Sequence, residues 1–199
     1  LLGVRVLGAH GRVTKSGGRV VKNVSGYDLH RPQVGAFGTL GVIVEAHFKV
    51  AARPEVSALW ALPRPTLGEA HRQLLEIAAS ALRPVALEAL DATSAAAVRR
   101  AAPALPGADG QSVALVGVEG SRACFERHAR DLAGFAARGA GAAVLLEGPE
   151  SEPLWRAVAK LPDAQRDLVR ARVGARPHDL PDLLAALDLA RAPAYAVSV

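Results

Sequence analysis

The sequence has a single cysteine, Cys124, no methionine, and only eight aromatic residues, four Phe, two Tyr and two Trp, in 199 positions. One thiol makes no intrachain disulfide, and it cannot by itself hold an iron–sulfur cluster, which needs several thiolates. Any such cluster would belong to a partner. The scarcity of aromatics, with no RNP-like pattern, argues against a base-stacking RNA module. No apolar run reaches the roughly 18 residues a membrane-spanning helix needs, and no charged stretch precedes a short apolar one as in a signal peptide. The cytosol is therefore the default expectation. The chain begins Leu1-Leu2, lacks methionine and ends in the apolar stretch Tyr195 to Val199, so a fragment of a longer protein is expected.

Half of the residues are hydrophobic and 22% are charged, ordinary values for a folded chain. The charge is uneven. Residues 1–50 carry seven basic side chains (Arg5, Arg12, Lys15, Arg19, Lys22, Arg31, Lys49) against Asp28 and Glu45, a net of 7 − 2 = +5, while the remaining positions balance at 17 against 17. Such an excess suits either a solvated basic surface or an anionic ligand.

Glycines and alternation divide the chain. Val4 to Gly8 and Arg12 to Lys15 read as strands around the turn Gly8-Ala9-His10-Gly11. A loop follows over 16–26. Tyr27 to Arg31 suggests one helical turn, ended by Pro32. From Leu40 to Val50 the pattern alternates, with Leu40, Val42, Val44, Ala46, Phe48 and Val50 on one side and Gly41, Ile43, Glu45, His47 and Lys49 on the other, as in a half-buried strand. The segment 51–55 breaks this pattern and the composition turns from glycine-rich to alanine- and leucine-rich, so a domain boundary is expected there. Downstream, strands at 56–62, 85–90, 112–119, 142–147 and 167–173 and a final strand take turns with helices at 67–82, 94–102, 121–138, 152–161 and 179–190. Thr66 with Glu69 reads as a capping box, and Pro153 suits a first helical turn. The expected class is α+β, an antiparallel sheet with helices.

The segment Gly35-Ala36-Phe37-Gly38-Thr39-Leu40-Gly41 places three glycines at intervals of three just before a strand. Without Cβ atoms, backbone N–H and C=O groups can touch a ligand, and successive N–H groups can form an anion nest. Read alone, such a turn is more often structural. The Rossmann fingerprint differs, because its glycines follow a strand and open a helix.

Lys22-Asn23-x-x-Gly26-Tyr27-Asp28-Leu29 followed by Gly35-x-x-Gly38-Thr39-Leu40-Gly41-Val42-Ile43 resembles the end of the FAD-binding domain of the vanillyl-alcohol-oxidase, PCMH-type flavoproteins. Within them it is most similar to the FAD-binding subunit of glycolate oxidase. The resemblance implies that residues 1–52 are the C-terminal part of a PCMH-type FAD-binding domain and that 53–199 form an α+β cap domain helping to shape the substrate pocket. It implies FAD, its adenine and diphosphate end lying against Ile43, Val42, Gly41, Gly38, Gly35 and Thr39, with Tyr27 and Asn23 either touching the ligand or bracing the loop.

The activity so implied is oxidation of a small 2-hydroxy acid such as glycolate. Electrons would pass to an iron–sulfur subunit, in a complex that also holds a sister FAD subunit, cytoplasmic or peripheral at the inner membrane through its partners. Alternatives are a D-lactate or D-2-hydroxyglutarate type dehydrogenase and a noncatalytic FAD-binding scaffold. No nucleic acid is expected as a partner.

The family usually has Ser where Ala36 stands, and an apolar leucine is common in place of Pro32. The histidine-rich metal motif of related catalytic subunits has no counterpart: His71, His128 and His178 are far apart and read as surface or helix-face residues, so no metal is expected. His10, His30 and His47 lie nearer the presumed flavin side. Cys124 reads as a buried, inert thiol, and Arg99, Arg100, Arg170, Arg172 and Arg176 as solvated faces. No catalytic base and no carboxylate-binding arginine can be named.

Overall fold

The computed structural model describes residues 1–22, 26–138, 142–161, 174–186 and 196–198. The chain divides into two compact units, Leu1–Arg53 and Pro54–Val199, and its class is α+β.

The first unit is a three-stranded antiparallel sheet of β1 (Gly3–Leu7), β2 (Val13–Gly17) and β3 (Val42–His47) in the order β2-β1-β3. The hairpin turn forms where glycines predict it: Gly8 N–H donates to Arg12 O and Gly11, at φ 72°, donates to Gly8 O. Along β1–β3 the register places Val4 opposite Ala46 and Arg5 opposite Glu45, then shifts so that Val6 opposes Ile43. Val44 is the extra residue of a β-bulge.

The bulge corrects the alternation read from sequence. Directly opposed residues share a face, so Ile43 sides with Val6, whereas Glu45 and His47 side with Arg5 and Gly3. The strand is also shorter than 40–50, and it is an edge strand whose Val42 and Val44 are exposed rather than half-buried.

The expected helical turn at Tyr27 to Arg31 lies further on, as a 3-10 turn at Arg31–Gln33. Pro32 opens this turn instead of ending one, because its missing N–H falls where no intrahelical bond is made. The segment 28–41 folds back over the Val4 and Val6 face. Buried His30 meets Ser16 Oγ through Nδ1 at 3.3 Å, and Gly41 packs on Val6 and Leu7.

The second unit is a five-stranded antiparallel sheet in the order β7-β4-β6-β5-β8. Its strands are β4 (Val56–Arg64), β5 (Ala86–Leu90), β6 (Ser112–Gly120), β7 (Val144–Glu147) and β8 (Ala196–Ser198), and its helices are α1 (Leu67–Ala78), α2 (Ala92–Ala101), α3 (Arg122–Ala136), α4 (Glu152–Lys160) and α5 (Leu180–Ala186). The path β4-α1-β5, β6-α3-β7 is a split β-α-β arrangement of the ferredoxin-like kind.

Both faces of this sheet are covered. Val56, Ala58, Trp60 and Leu62 pack on one side with Leu74 and Ile77 of α1 and Phe125 and Leu132 of α3. Leu59, Ala61, Val113 and Leu115 pack on the other with Val98 of α2 and Leu154 of α4. Burial on both faces explains why β4 and β6 read as near-continuous apolar runs and not as alternating ones. Side-chain caps start the helices: Thr66, Asp91 and Ser121 accept from the N–H of Glu69, Ser94 and Cys124. The strand expected at 167–173 lies outside the described residues.

Candidate functional site

The turns that carry the glycine segment are short and consecutive. Val34 N–H donates to Arg31 O, Ala36 to Gln33 O, Thr39 to Ala36 O and Gly41 to Gly38 O, all within 3.3 Å. The Thr39 hydroxyl closes the same turn by donating to Ala36 O at 2.7 Å. Gly35, Phe37, Gly38 and Gly41 all hold positive φ. Among the described residues, the N–H groups of Gly35, Phe37, Gly38 and Leu40 have no acceptor.

The three glycines of this segment differ in their surroundings. A Cβ on Gly35 or Gly38 would meet nothing within 4 Å, whereas one on Gly41 would lie 2.6 Å from Val6 Cγ1 and 2.8 Å from Leu7 O. Gly41 is therefore demanded by the protein's own packing. Gly35 and Gly38 keep a stretch of backbone bare toward open space.

Thr39, between Gly38 and Gly41, is exposed, as are Val42 and Ile43 after Gly41, with Val42 opposite Leu7 and Ile43 opposite Val6. The Thr39 hydroxyl is already committed as a donor within its turn. Tyr27 is exposed at the start of the segment, its carbonyl accepting from Leu29 N–H at 2.8 Å. Asn23 lies outside the described residues.

The opposite face of the small sheet collects much of the N-terminal charge. Arg5, Val13, Lys15, Arg19, Glu45 and His47 line an open groove of about 690 Å³. Glu45 sits at its centre, 3.4 Å from Arg5, 3.8 Å from Arg19 and 3.0 Å from His47 Nε2. The carboxylate offsets part of the cationic excess, and Lys15 leaves a net positive surface.

In the second unit, Arg64, Arg72 and Arg138 line a cavity of about 260 Å³ with Glu69, Gln73 and Glu76. Burial pushes the Arg64 guanidinium below its ordinary value, and the negative charges of Glu69 and Glu76 act in the other direction. Its guanidinium and the Gln73 amide both donate to Phe135 O, at 3.2 and 2.9 Å, near the C-terminus of α3. Arg64 is thus occupied as a helix cap, a task linking positions 71 residues apart that no local pattern reveals.

Several expectations for single residues are corrected. Cys124 is exposed, not buried: it occupies the first turn of α3, with Sγ over Gly120 and 3.9 Å from His128 Nε2. His71 and His128 are buried under the sheet's helices instead of lying at the surface, because each falls on the apolar stripe of its helix. Arg99 turns inward to Pro106 O and Asp109, and Arg100 stays exposed. Arg170 and Arg172 are outside the described residues, and Arg176 pairs with Asp179. No three His, Cys, Asp or Glu side chains gather as a metal site among the described residues.

Residues 53–186 match the family described as FAD linked oxidases, C-terminal domain. This chain belongs to that family. Ninety-one residues of this chain are 35% identical to glycolate oxidase subunit GlcD of Bacillus subtilis (strain 168), covering 46% of this chain and 19% of that protein. Fifty-seven residues are 47% identical to glycolate oxidase subunit GlcE of Escherichia coli (strain K12), covering 29% of this chain and 16% of that one. D-lactate dehydrogenase of Archaeoglobus fulgidus is 35% identical over 91 residues, 46% of this chain and 20% of that protein.

The chain thus spans about a fifth of the length of these relatives. In fold it is similar to an alkyldihydroxyacetonephosphate synthase, with a TM-score of 0.64 at 19% identity over 92% of this chain and 38% of that one. No helix among the described residues is long and apolar enough to cross a membrane.

FAD is the cofactor this family membership carries. Residues 35–40 fit its nucleotide end on two counts: N–H donors without protein acceptors, and Cβ positions opening on empty space. Both suit a phosphate-bearing ligand drawn against backbone.

Proposed function

We propose that this chain is part of an FAD-dependent oxidoreductase acting on a small 2-hydroxy acid, glycolate first. Residues 1–52 belong to its FAD-binding domain and residues 53–199 to its cap domain. The observation that carries the reading is the bare backbone of residues 35–40, with four unengaged N–H groups and two glycines open to a ligand. The resemblance to two glycolate oxidase subunits supports the substrate class.

When bound, FAD supplies the two-electron acceptance needed to oxidise an alcohol to a carbonyl. The protein groups have simpler tasks. The N–H groups of Gly35, Phe37, Gly38 and Leu40 donate to the diphosphate, and the absent side chain at Gly38 lets the nucleotide approach the main chain. Val42 and Ile43 line the strand beside it, and Tyr27 stands exposed at the start of the loop. His30, held by Ser16, anchors the loop to β2 and is a structural residue. By likeness to the glycolate oxidase subunits, electrons leave through a cluster-bearing partner in a complex with a sister FAD subunit.

The test is the flavin spectrum of the full-length protein that carries this chain, purified with and without its neighbouring subunits. Bound FAD that bleaches on adding glycolate is the expected result; absence of FAD from every preparation overturns the reading. A second reading, a D-lactate dehydrogenase, is favoured by the Archaeoglobus fulgidus relative. Bleaching by D-lactate but not by glycolate would select it.

A further inference from the structure

We propose that Phe37 is the stacking surface for the adenine ring of FAD, an inference that rests on the reading above and gives one side chain a specific task in it. Phe37 is 98% exposed and has φ 50°, and it is the one non-glycine residue at positive φ among the described residues. It stands with Gly38, at φ 79°, in the centre of a turn closed by Thr39 N–H on Ala36 O at 3.0 Å. Positive φ at both central positions is the habit of a type I′ turn, which favours Asn, Asp or Gly at the first of them. For a bulky aromatic side chain this conformation is an outlier.

Neither turn chemistry nor packing explains the phenyl group. The turn would form more readily with Asn or Gly, and among the described residues nothing packs on the ring to hold it there. The flanking hydrogen bonds, from Ala36 to Gln33 O, from the Thr39 hydroxyl to Ala36 O and from Gly41 to Gly38 O, hold the backbone in place despite the strain. A strained, exposed residue kept by over-determined neighbours is a reason to look for a ligand.

The chemistry around the ring names the kind of ligand. Unengaged N–H groups lie at Gly35, at Phe37 itself, at Gly38 and at Leu40, and open space borders both flanking glycines. An uncharged planar ring rising from a row of free N–H donors matches a nucleotide, whose phosphates take the donors and whose base takes the ring. Stacking is indifferent to hydrogen-bond pattern and needs only a flat face on each side.

The experiment uses the full-length protein stripped of flavin and titrated with FAD, ADP and FMN, together with thermal melts of the flavin-free form. Phe37→Gly should weaken FAD and ADP by about tenfold or more, the usual loss of one base–aromatic stack. FMN, which lacks adenine, should bind as it does to the native protein, and the flavin-free Tm should not fall, since glycine relieves the backbone. Phe37→Trp should retain the affinity for FAD and ADP. Unchanged binding of FAD and ADP by Phe37→Gly overturns the inference, as does an equal loss for FMN. A lower Tm with unchanged FAD affinity also overturns it, by showing that the ring packs within the protein. Native protein that takes up no FAD would instead overturn the underlying reading, so the two failures are distinct.

Discussion

Gly38 and Gly41 stand three residues apart, both at positive φ, with opposite surroundings. At Gly41 an added methyl would collide with Val6 Cγ1 and Leu7 O, and the protein itself forbids it. At Gly38 the methyl would meet only open space, so its cost is the backbone conformation alone. We expect Gly41→Ala to destabilise the flavin-free protein by about 3 kcal/mol, from overpacking added to left-handed strain. Gly38→Ala should cost only about 1 kcal/mol, that of the strain. Urea unfolding of the two variants of the full-length protein checks the difference. Flavin retention should divide them the other way. On the proposed reading, Gly38→Val should lose FAD because its branched side chain would occupy the nucleotide's approach, whereas Gly41→Ala should lose it only as far as the fold itself is lost. Equal urea midpoints would show that the loop yields around Val6 and that the two glycines are alike.

Among the elements, what could be read from sequence is what chain neighbours decide. The cap of α1 is legible because Thr66 bonds to an N–H group three residues on. The alternation of 42–47 marks a strand by the same locality. The bulge at Val44 was not legible, since it exists only in the pairing with β1, and it moves Ile43 to the face opposite the one that strict alternation gives it. Cys124 was misread because an amphipathic pattern does not say which residues of the first helical turn clear the sheet. The cap on α3 was out of reach altogether, its donors coming from the end of β4 and from α1. Phe135 O accepts from Arg64, from Gln73, from the Ala137 N–H that it shares with Ala133 O and, at 3.4 Å, from Arg138 N–H. Arg64→Met and Gln73→Met should each cost about 1 kcal/mol, because one side-chain donor remains. The double variant should cost more than their sum, leaving the carbonyl with only the backbone N–H groups of Ala137 and Arg138. Because the Arg64 pKa is lowered in the folded state, charging it opposes folding, and that cost is relieved only as pH rises into the guanidinium range. Between about pH 6 and 9 both folded and unfolded forms carry the charge, so the native-minus-Arg64→Met difference should be flat there. A slope in that window would mean that another group titrates with the cap.

Across the whole molecule, apolar exposure and charge are both concentrated in the first unit. Among the described residues, fourteen of the fifteen exposed large hydrophobic residues fall between Leu1 and Val50, and Val85 is the exception. Among the described residues, the first unit's buried apolar side chains are Val4 and Val6, against the two-sided core of Leu59, Leu62, Leu74, Leu90 and Leu115 in the second. A three-stranded sheet of about fifty residues with so little buried has a weak driving force for folding. We therefore expect residues 54–199, produced alone, to melt cooperatively, and residues 1–53 alone to give the circular dichroism of an unfolded chain. The second unit has its own core, whereas the first must gain apolar contact from elsewhere in the full-length protein and from its ligand. On this account FAD should stabilise the full-length protein chiefly through the first unit, and its removal should raise hydrogen exchange in β1 and β3 while leaving β4 and β6 protected. A cooperative melt from residues 1–53 alone, or equal loss of protection in both sheets when FAD is removed, would place the stabilising contacts of the first sheet within its own residues.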